Sequence, residues 1–243
     1  MAQPSIQLDL HELSNNLLGL RIWAVFGRQR QAVNPMADMF GHIGPVAVPR
    51  PVSADLISPF RDLRPAGGFD LIMADFPWQY EMRSDLGYEK SPQAYYKTMS
   101  IDEGKAMPVE LLAARDCLLW FWAVGPMLPQ ALELIDAWGF TFKTSGHWVK
   151  QTKNARQTFG TGYILRNAGE PFLIATRGAP KTTRSVRNTI FGLARQHSRK
   201  PEECFREAEK LMPNAQRCEL FSRQQRAGWT CWGNEAEKFG GDP

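Results

Sequence analysis

A chain of 243 residues with 43% hydrophobic content is long enough for one sizeable α/β domain and too apolar for wholesale disorder. No apolar run reaches the ~18–20 residues of a membrane span, and residues 1–20 have no basic leader and carry Asp9 and Glu12, so neither a membrane anchor nor a secretory signal is expected. The net charge of +4 names no partner by itself; the four scattered cysteines, with no CxxC pair, argue against zinc and disulfides and for a reducing, cytoplasmic setting.

In chain order, residues 1–54 differ in character from the remainder. A helical stretch over residues 11–26 gives way to Pro35, Gly41, Gly44, Pro45, Pro49 and Pro51, a breaker-rich connection. The expectation is an N-terminal extension at 1–54 and a main domain at 55–243. Phe69–Ala74 reads as a buried strand. Ser100 and Glu103 fit a capping box, predicting a helix from there to about Ala114. Residues 117–124 read as an aromatic-rich strand, and 128–138 as a helix stopped by Gly139. Strands follow at 140–150, 171–176 and 217–221, with a helix at 201–211 that has Pro201 in its first turn. This alternation predicts a largely parallel, doubly wound sheet.

Asp75-Phe76-Pro77-Trp78 follows the first strand directly. In open α/β sheets the chemistry lies beyond the carboxyl ends of the strands. The exocyclic amine of a nucleobase is a poor nucleophile because its lone pair is delocalised into the ring. Asp75 and the Phe76 carbonyl offer acceptors for its two N–H bonds, Pro77 stiffens the loop, and Trp78 offers a stacking surface. Taken alone, the tetrapeptide reads equally well as an ordinary strand end with a turn-capping Asp and a core Trp. No G-x-G-x-x-G, P-loop or G-x-S-x-G pattern occurs, and His11, His42, His147 and His197 lack metal-ligand spacing, so no metal is expected.

The charge is unevenly spread. Residues 137–201 hold twelve Lys or Arg and one acid, Glu170, while the rest of the chain holds seventeen bases and twenty-four acids. Such a stretch suits a phosphate-backbone partner, or else a solvated basic face. Residues 171–201 contain no acid and are interrupted by Gly178, Pro180 and Gly192, the composition of a mobile loop that closes on a backbone. Within the wider basic stretch, Lys150, Arg184, Arg187 and Arg199 are the candidate substrate contacts.

Further motifs run in order. Tyr96-Lys97-Thr98-Met99-Ser100, Trp148-Val149-Lys150, the segment Gly162 to Glu170, Lys200-Pro201, Glu219-Leu220-Phe221-Ser222-Arg223 and the closing Trp229 to Gly233-Asn234 join the Asp75 tetrapeptide. Together they resemble the adenine-N6 methyltransferase family named for the catalytic subunit of the mRNA adenosine methyltransferase, which has many bacterial and phage members. These six and the tetrapeptide, in the right order, cover roughly residues 69–235.

The resemblance implies a Rossmann-like class I fold in a single domain, with the catalytic motif first and the cofactor strand near the C-terminus, a circularly permuted order. It implies S-adenosyl-L-methionine as cofactor and adenine N6 in nucleic acid as target, DNA being expected and RNA allowed, with a homo- or heterodimer also allowed. By match, Asp75, Phe76, Pro77 and Trp78 form the catalytic loop; Asp75, Arg223, Asn234 and Glu235 hold the cofactor; and Tyr96 borders the base pocket. Phe76 stands where the family has Pro, and Arg223 opens a loop shorter than the family's. Proline at 76 is therefore expected to be neutral or activating. The Phe76 departure also admits a different class of protein, a catalytically silent nucleic-acid-binding or scaffolding relative.

Overall fold

The structure, a computed structural model, describes residues 60–79, 98–160, 162, 164–196 and 199–240. The expected extension at 1–54, with its helix at 11–26, and Tyr96 lie outside the described residues. Seven strands form one sheet: β1 (Phe69–Ala74), β2 (Ala113–Trp122), β3 (Thr141–Gln151), β4 (Gly169–Arg177), β5 (Thr189–Leu193), β6 (Arg217–Leu220) and β7 (Thr230–Trp232), in the order β5-β3-β4-β2-β1-β6-β7. Among the described residues, helices α1 (Ile101–Lys105), α2 (Leu128–Ala137) and α3 (Glu202–Leu211) accompany them.

β1 is a continuous apolar run because it is the sheet's centre, paired in parallel with β2 on one side and β6 on the other. Alternate residues supply two cores. Ile72 and Ala74 join Leu119, Phe121, Leu134 and Trp138 on one face, with α2. Leu71 and Met73 join Trp120, Trp122, Phe172 and Phe205 on the other, with α3. The doubly wound arrangement is thus written into the strand period.

Among the described strands β4 alone runs against its neighbours, antiparallel to both β2 and β3. No helix separates β3 from β4 among the described residues, and without a crossover two sequential strands pair antiparallel. The reversal has a consequence for the site: the first residues of β4 lie beside the carboxyl ends of the other strands.

The capping box forms as expected. Ser100 Oγ accepts the Glu103 N–H, and Glu103 Oε2 accepts the Ser100 N–H at 2.8 Å. The helix it starts is only five residues long, not about fourteen, because Pro108 disfavours α conformation at Met107 and cannot donate to a helical ladder. A 3-10 turn, Val109–Leu111, follows, and β2 begins at Ala113, four residues before the expected start. Strands β5 and β7 were not expected: the first lies inside the basic stretch, and the second is only three residues long.

Candidate active site

Asp75-Phe76-Pro77-Trp78 leaves β1 at its carboxyl end, and neighbouring chain holds it there. Pro77 O accepts the Met99 N–H at 2.9 Å, and Trp78 bridges to Met99. Phe76 O already accepts the Trp78 N–H at 2.9 Å, a bond across two residues that leaves one oxygen lone pair. The Phe76 ring is 1% exposed and meets Trp78 and Phe221 edge-on, with centroids 5.0 and 5.7 Å away. A Cβ added to Gly104 would stand 2.6 Å from that ring, so the glycine in α1 makes room for it.

The expected stacking role of Trp78 is corrected. Its indole is 4% exposed and sits edge-on to Phe121 in the core, because the loop turns its apolar side chains inward. Its Nε1 has no hydrogen-bond partner among the described residues.

Asp75 is joined by Lys200 and, through it, by Glu170 and Lys150. Lys200 Nζ lies 2.6 Å from Asp75 Oδ2 and 3.2 Å from Glu170 Oε2, and Lys150 Nζ lies 2.6 Å from Glu170 Oε1. Lys200 precedes α3, and Glu170 is the second residue of β4, delivered by that strand's reversal. Burial pushes the Asp75 carboxyl up from its ordinary range, against the Lys200 charge that pulls it down. Burial also acts upward on Glu170, but the ammonium groups of Lys200 and Lys150 outweigh it and hold its pKa down at about 2. Lys200 is desolvated as well, yet two carboxylates keep it protonated. Lys150, expected to contact substrate, pairs with Glu170. Glu170 was legible in one respect: it is the solitary acid of the basic stretch.

The second wall comes from β6 and β7. After β6 the chain turns through Phe221 at φ 62°, a conformation that costs a non-glycine residue about 1 kcal/mol or more, and such strain clusters at functional sites. Ser222 N–H then donates to Trp232 O at 2.9 Å, tying the two strand ends together. A Cβ on Gly233 would meet the Ser222 backbone at 2.6 Å, so only glycine allows this approach. Arg223 Nε donates to Glu235 Oε2 at 2.7 Å, and the guanidinium lies 5.1 Å from the Phe239 ring centre.

Asp75, Arg223, Asn234 and Glu235 line one cleft with Pro77, Met99, Phe221 and Trp232; its cavity volume is about 260 Å³. An adjoining small pocket shares Asp75 and Arg223 and adds Arg199, Lys200 and Glu219. Arg199 therefore lies on the cleft side, where its Nε donates to Gln224 Oε1 at 2.8 Å. Glu219 is buried, and burial lifts its pKa to about 7 although Ser222 Oγ donates to it at 3.0 Å.

Arg184 and Arg187 are not brought to Asp75. Both are exposed on the connection between β4 and β5. This connection is tied rather than loose, with Ala179 N–H on Asp116 Oδ1, Thr183 N–H on Leu211 O, and Asn188 O accepting the His147 N–H. Thr183 thus sits at the far end of α3, whose ten residues span about 15 Å from the Lys200 end. The expected closing loop is corrected on that ground: β4 carries the chain away from the carboxyl rim before the connection begins.

Among the described residues no group of three or more His, Cys, Asp or Glu is placed to hold a metal, and no helix is long and apolar enough to cross a membrane.

Comparison with known proteins adds an independent line. The MT-A70 family profile matches residues 69–235. The chain is 32% identical over 174 residues to an N(6)-adenosine-methyltransferase MT-A70-like protein of Arabidopsis thaliana, covering 70% of this chain and 24% of that one. It is 29% identical over 242 residues to the type II methyltransferase M.MunI of Mycoplasma sp, covering 92% of each. Against the human N(6)-adenosine-methyltransferase catalytic subunit METTL3 identity is 27% over 184 residues, or 73% of this chain and 30% of METTL3. The chain thus spans about a quarter of the length of the plant protein.

Proposed function

The chain belongs to the MT-A70 family, whose members are S-adenosyl-L-methionine-dependent methyltransferases, and from that premise we propose that it methylates adenine at N6 in nucleic acid, with DNA as the substrate. The observation that carries the reading is a carboxylate, Asp75, paired with Lys200 on the rim of a cleft lined also by Arg223, Asn234 and Glu235. M.MunI, a type II methyltransferase matched over 92% of both chains, supports DNA over RNA.

The donor set suits the cofactor. Glu235 and Asn234 offer acceptors and an amide for a ribose and an adenine edge, Phe221, Trp232 and Met99 offer apolar surface, and Lys200 and Arg223 offer cations for a carboxylate. When bound, S-adenosyl-L-methionine supplies an electrophilic methyl group. The protein's part is to orient the amine. Lys200 takes Asp75 Oδ2 and favours the ionised carboxylate; Oδ1, without a partner among the described residues, accepts one amine N–H. The remaining lone pair of Phe76 O accepts the other. With both N–H bonds directed, the nitrogen lone pair is drawn out of ring conjugation and aimed along the transfer axis. Positioning and fixed charges supply the acceleration. In a duplex the adenine must leave the stack, at a cost of a few kcal/mol, with Tyr96 proposed to border its pocket. A bacterial or phage cytoplasmic setting, and assembly with a second chain, accord with this reading.

Phe76 supports a second reading, a silent nucleic-acid-binding relative, because its carbonyl already carries the Trp78 N–H. DNA incubated with protein and cofactor, digested to nucleosides and separated by mass, tests the proposal. N6-methyladenine is expected; cofactor binding without any methyladenine in DNA or RNA leaves the silent reading.

A further inference from the structure

Beyond β7 the chain folds back along the loop that leaves β6. Phe239 N–H donates to Arg223 O at 3.0 Å, and Gln224 and Phe239 form a parallel bridge. Side chains repeat the attachment: Glu235 takes Arg223 Nε through Oε2 at 2.7 Å and Lys238 Nζ through Oε1. The Phe239 ring then meets two guanidiniums, with that of Arg223 5.1 Å from its centre and that of Arg199 4.9 Å away. Three segments distant in sequence converge on this ring: the residue before Lys200, the residue two places after the strained turn at Phe221, and the strap of residues 235–239.

Phe239 belongs to neither hydrophobic core among the described residues. Its ring is half-buried, and it is cations that the ring meets. Two arginines drawn to one place repel each other; the negative face of an aromatic ring and the Glu235 carboxylate offset that repulsion. Both arginines face Asp75. Arg223 lines the cleft and the small pocket beside it, and Arg199 lines the small pocket. An arginine loses rotamer freedom when it closes on a ligand, and a contact that holds it beforehand removes that cost from binding. The strap also carries Glu235, which lines the cleft next to Asn234.

We propose that Phe239 is a positioning residue for S-adenosyl-L-methionine: its ring holds Arg223 and Arg199 at the cofactor cleft and anchors the strap that presents Glu235. The proposal rests on the methyltransferase reading and deepens it. It gives the segment after β7 a share in cofactor affinity that acts through the arginines.

The test compares wild type with Phe239→Leu, which keeps apolar bulk and removes the aromatic face, and Phe239→Tyr, which keeps that face. Affinity for S-adenosyl-L-methionine is measured by calorimetry, affinity for DNA by titration, the thermal midpoint without cofactor, and transfer of labelled methyl to DNA at limiting and saturating cofactor. In Phe239→Leu the cofactor dissociation constant is expected to rise about three- to thirtyfold, the scale of one or two cation–π contacts. The midpoint, DNA affinity and the rate at saturating cofactor should stay close to wild type. Phe239→Tyr should bind cofactor as wild type does. Unchanged cofactor affinity in Phe239→Leu overturns the proposal, and so does an equal loss in both variants. A fall in DNA affinity with cofactor affinity unchanged assigns the arginines to phosphates and overturns it as well. If Phe239→Leu fails to fold, a fluorinated phenylalanine at 239 decides, because it keeps the ring's shape and withdraws charge from its face: weaker cofactor binding is expected, and equal binding overturns the proposal. Wild type that binds cofactor but labels no nucleic acid removes the methyltransferase reading and leaves the positioning role to the same affinity comparison. Wild type that binds no cofactor overturns both.

Discussion

At the scale of single residues, the Phe76 position shows how a departure from a motif is absorbed. The sequence-level expectation, that Pro at 76 is neutral or activating, considers only the backbone. The structure gives the side chain a place of its own against Gly104, Trp78 and Phe221. Phe76→Pro should therefore cost about 2–4 kcal/mol of stability, somewhat less than complete truncation of a buried Phe, measured by urea unfolding; a neutral variant would mean that the ring's packing contributes nothing. Glu219 provides a pH signature. Its folded pKa, raised by burial to about 7 from an ordinary 4.5, means the folded protein holds a proton there that the unfolded chain releases. The contribution is present in full below pH 4.5 and is lost as pH rises through 7. Unfolding free energy should thus fall between pH 5 and 8 by an amount on the order of 2–3 kcal/mol, and Glu219→Gln should flatten that fall. An equal pH slope in the variant would remove Glu219 as the cause.

At the scale of elements, strands and helices were legible wherever a period repeats. β1 and β2 lie where continuous apolar runs put them, and α2 where helical spacing does, because each must bury one or both faces. α1 was overextended because apolar residues continue past Pro108 at compatible spacing, and the proline overrides them. The ion-pair network was legible only in fragments. Lys200, Glu170 and Asp75 are far apart in sequence, and what joins them is the direction of β4, which no local pattern records. The same limit misplaced Arg184 and Arg187: composition marked a basic stretch, but only topology says which end of the sheet each part reaches. Packing between α1 and the catalytic loop can be tested at Gly104. An added methyl would approach the Phe76 ring at 2.6 Å and Leu134 Cδ2 at 2.9 Å. Overpacking costs about 1–3 kcal/mol, set against a gain of about 1 kcal/mol in helix propensity, so Gly104→Ala should lower the thermal midpoint. A raised midpoint would show that the ring yields without strain.

At the scale of the whole molecule, the sheet separates two ends. The carboxyl rim gathers Asp75, Lys200, Glu170, Arg223, Asn234 and Glu235, while the basic connection from Gly178 to Asn188 lies towards the other end. Arg184→Ala with Arg187→Ala should accordingly change DNA affinity little, as titrations at matched salt would read out; a large loss would return the DNA to the β4–β5 side. At the carboxyl rim, the proposed role of Asp75 is to orient an adenine amine for methyl transfer. Its most direct test is single-turnover transfer of labelled methyl from S-adenosyl-L-methionine to DNA, comparing wild type with Asp75→Ala under saturating cofactor. Label on adenine N6 is expected with wild type and a rate lower by ~10²–10⁴ in the variant, with cofactor still bound and the fold intact. Transfer by the variant at near wild-type rate would contradict it.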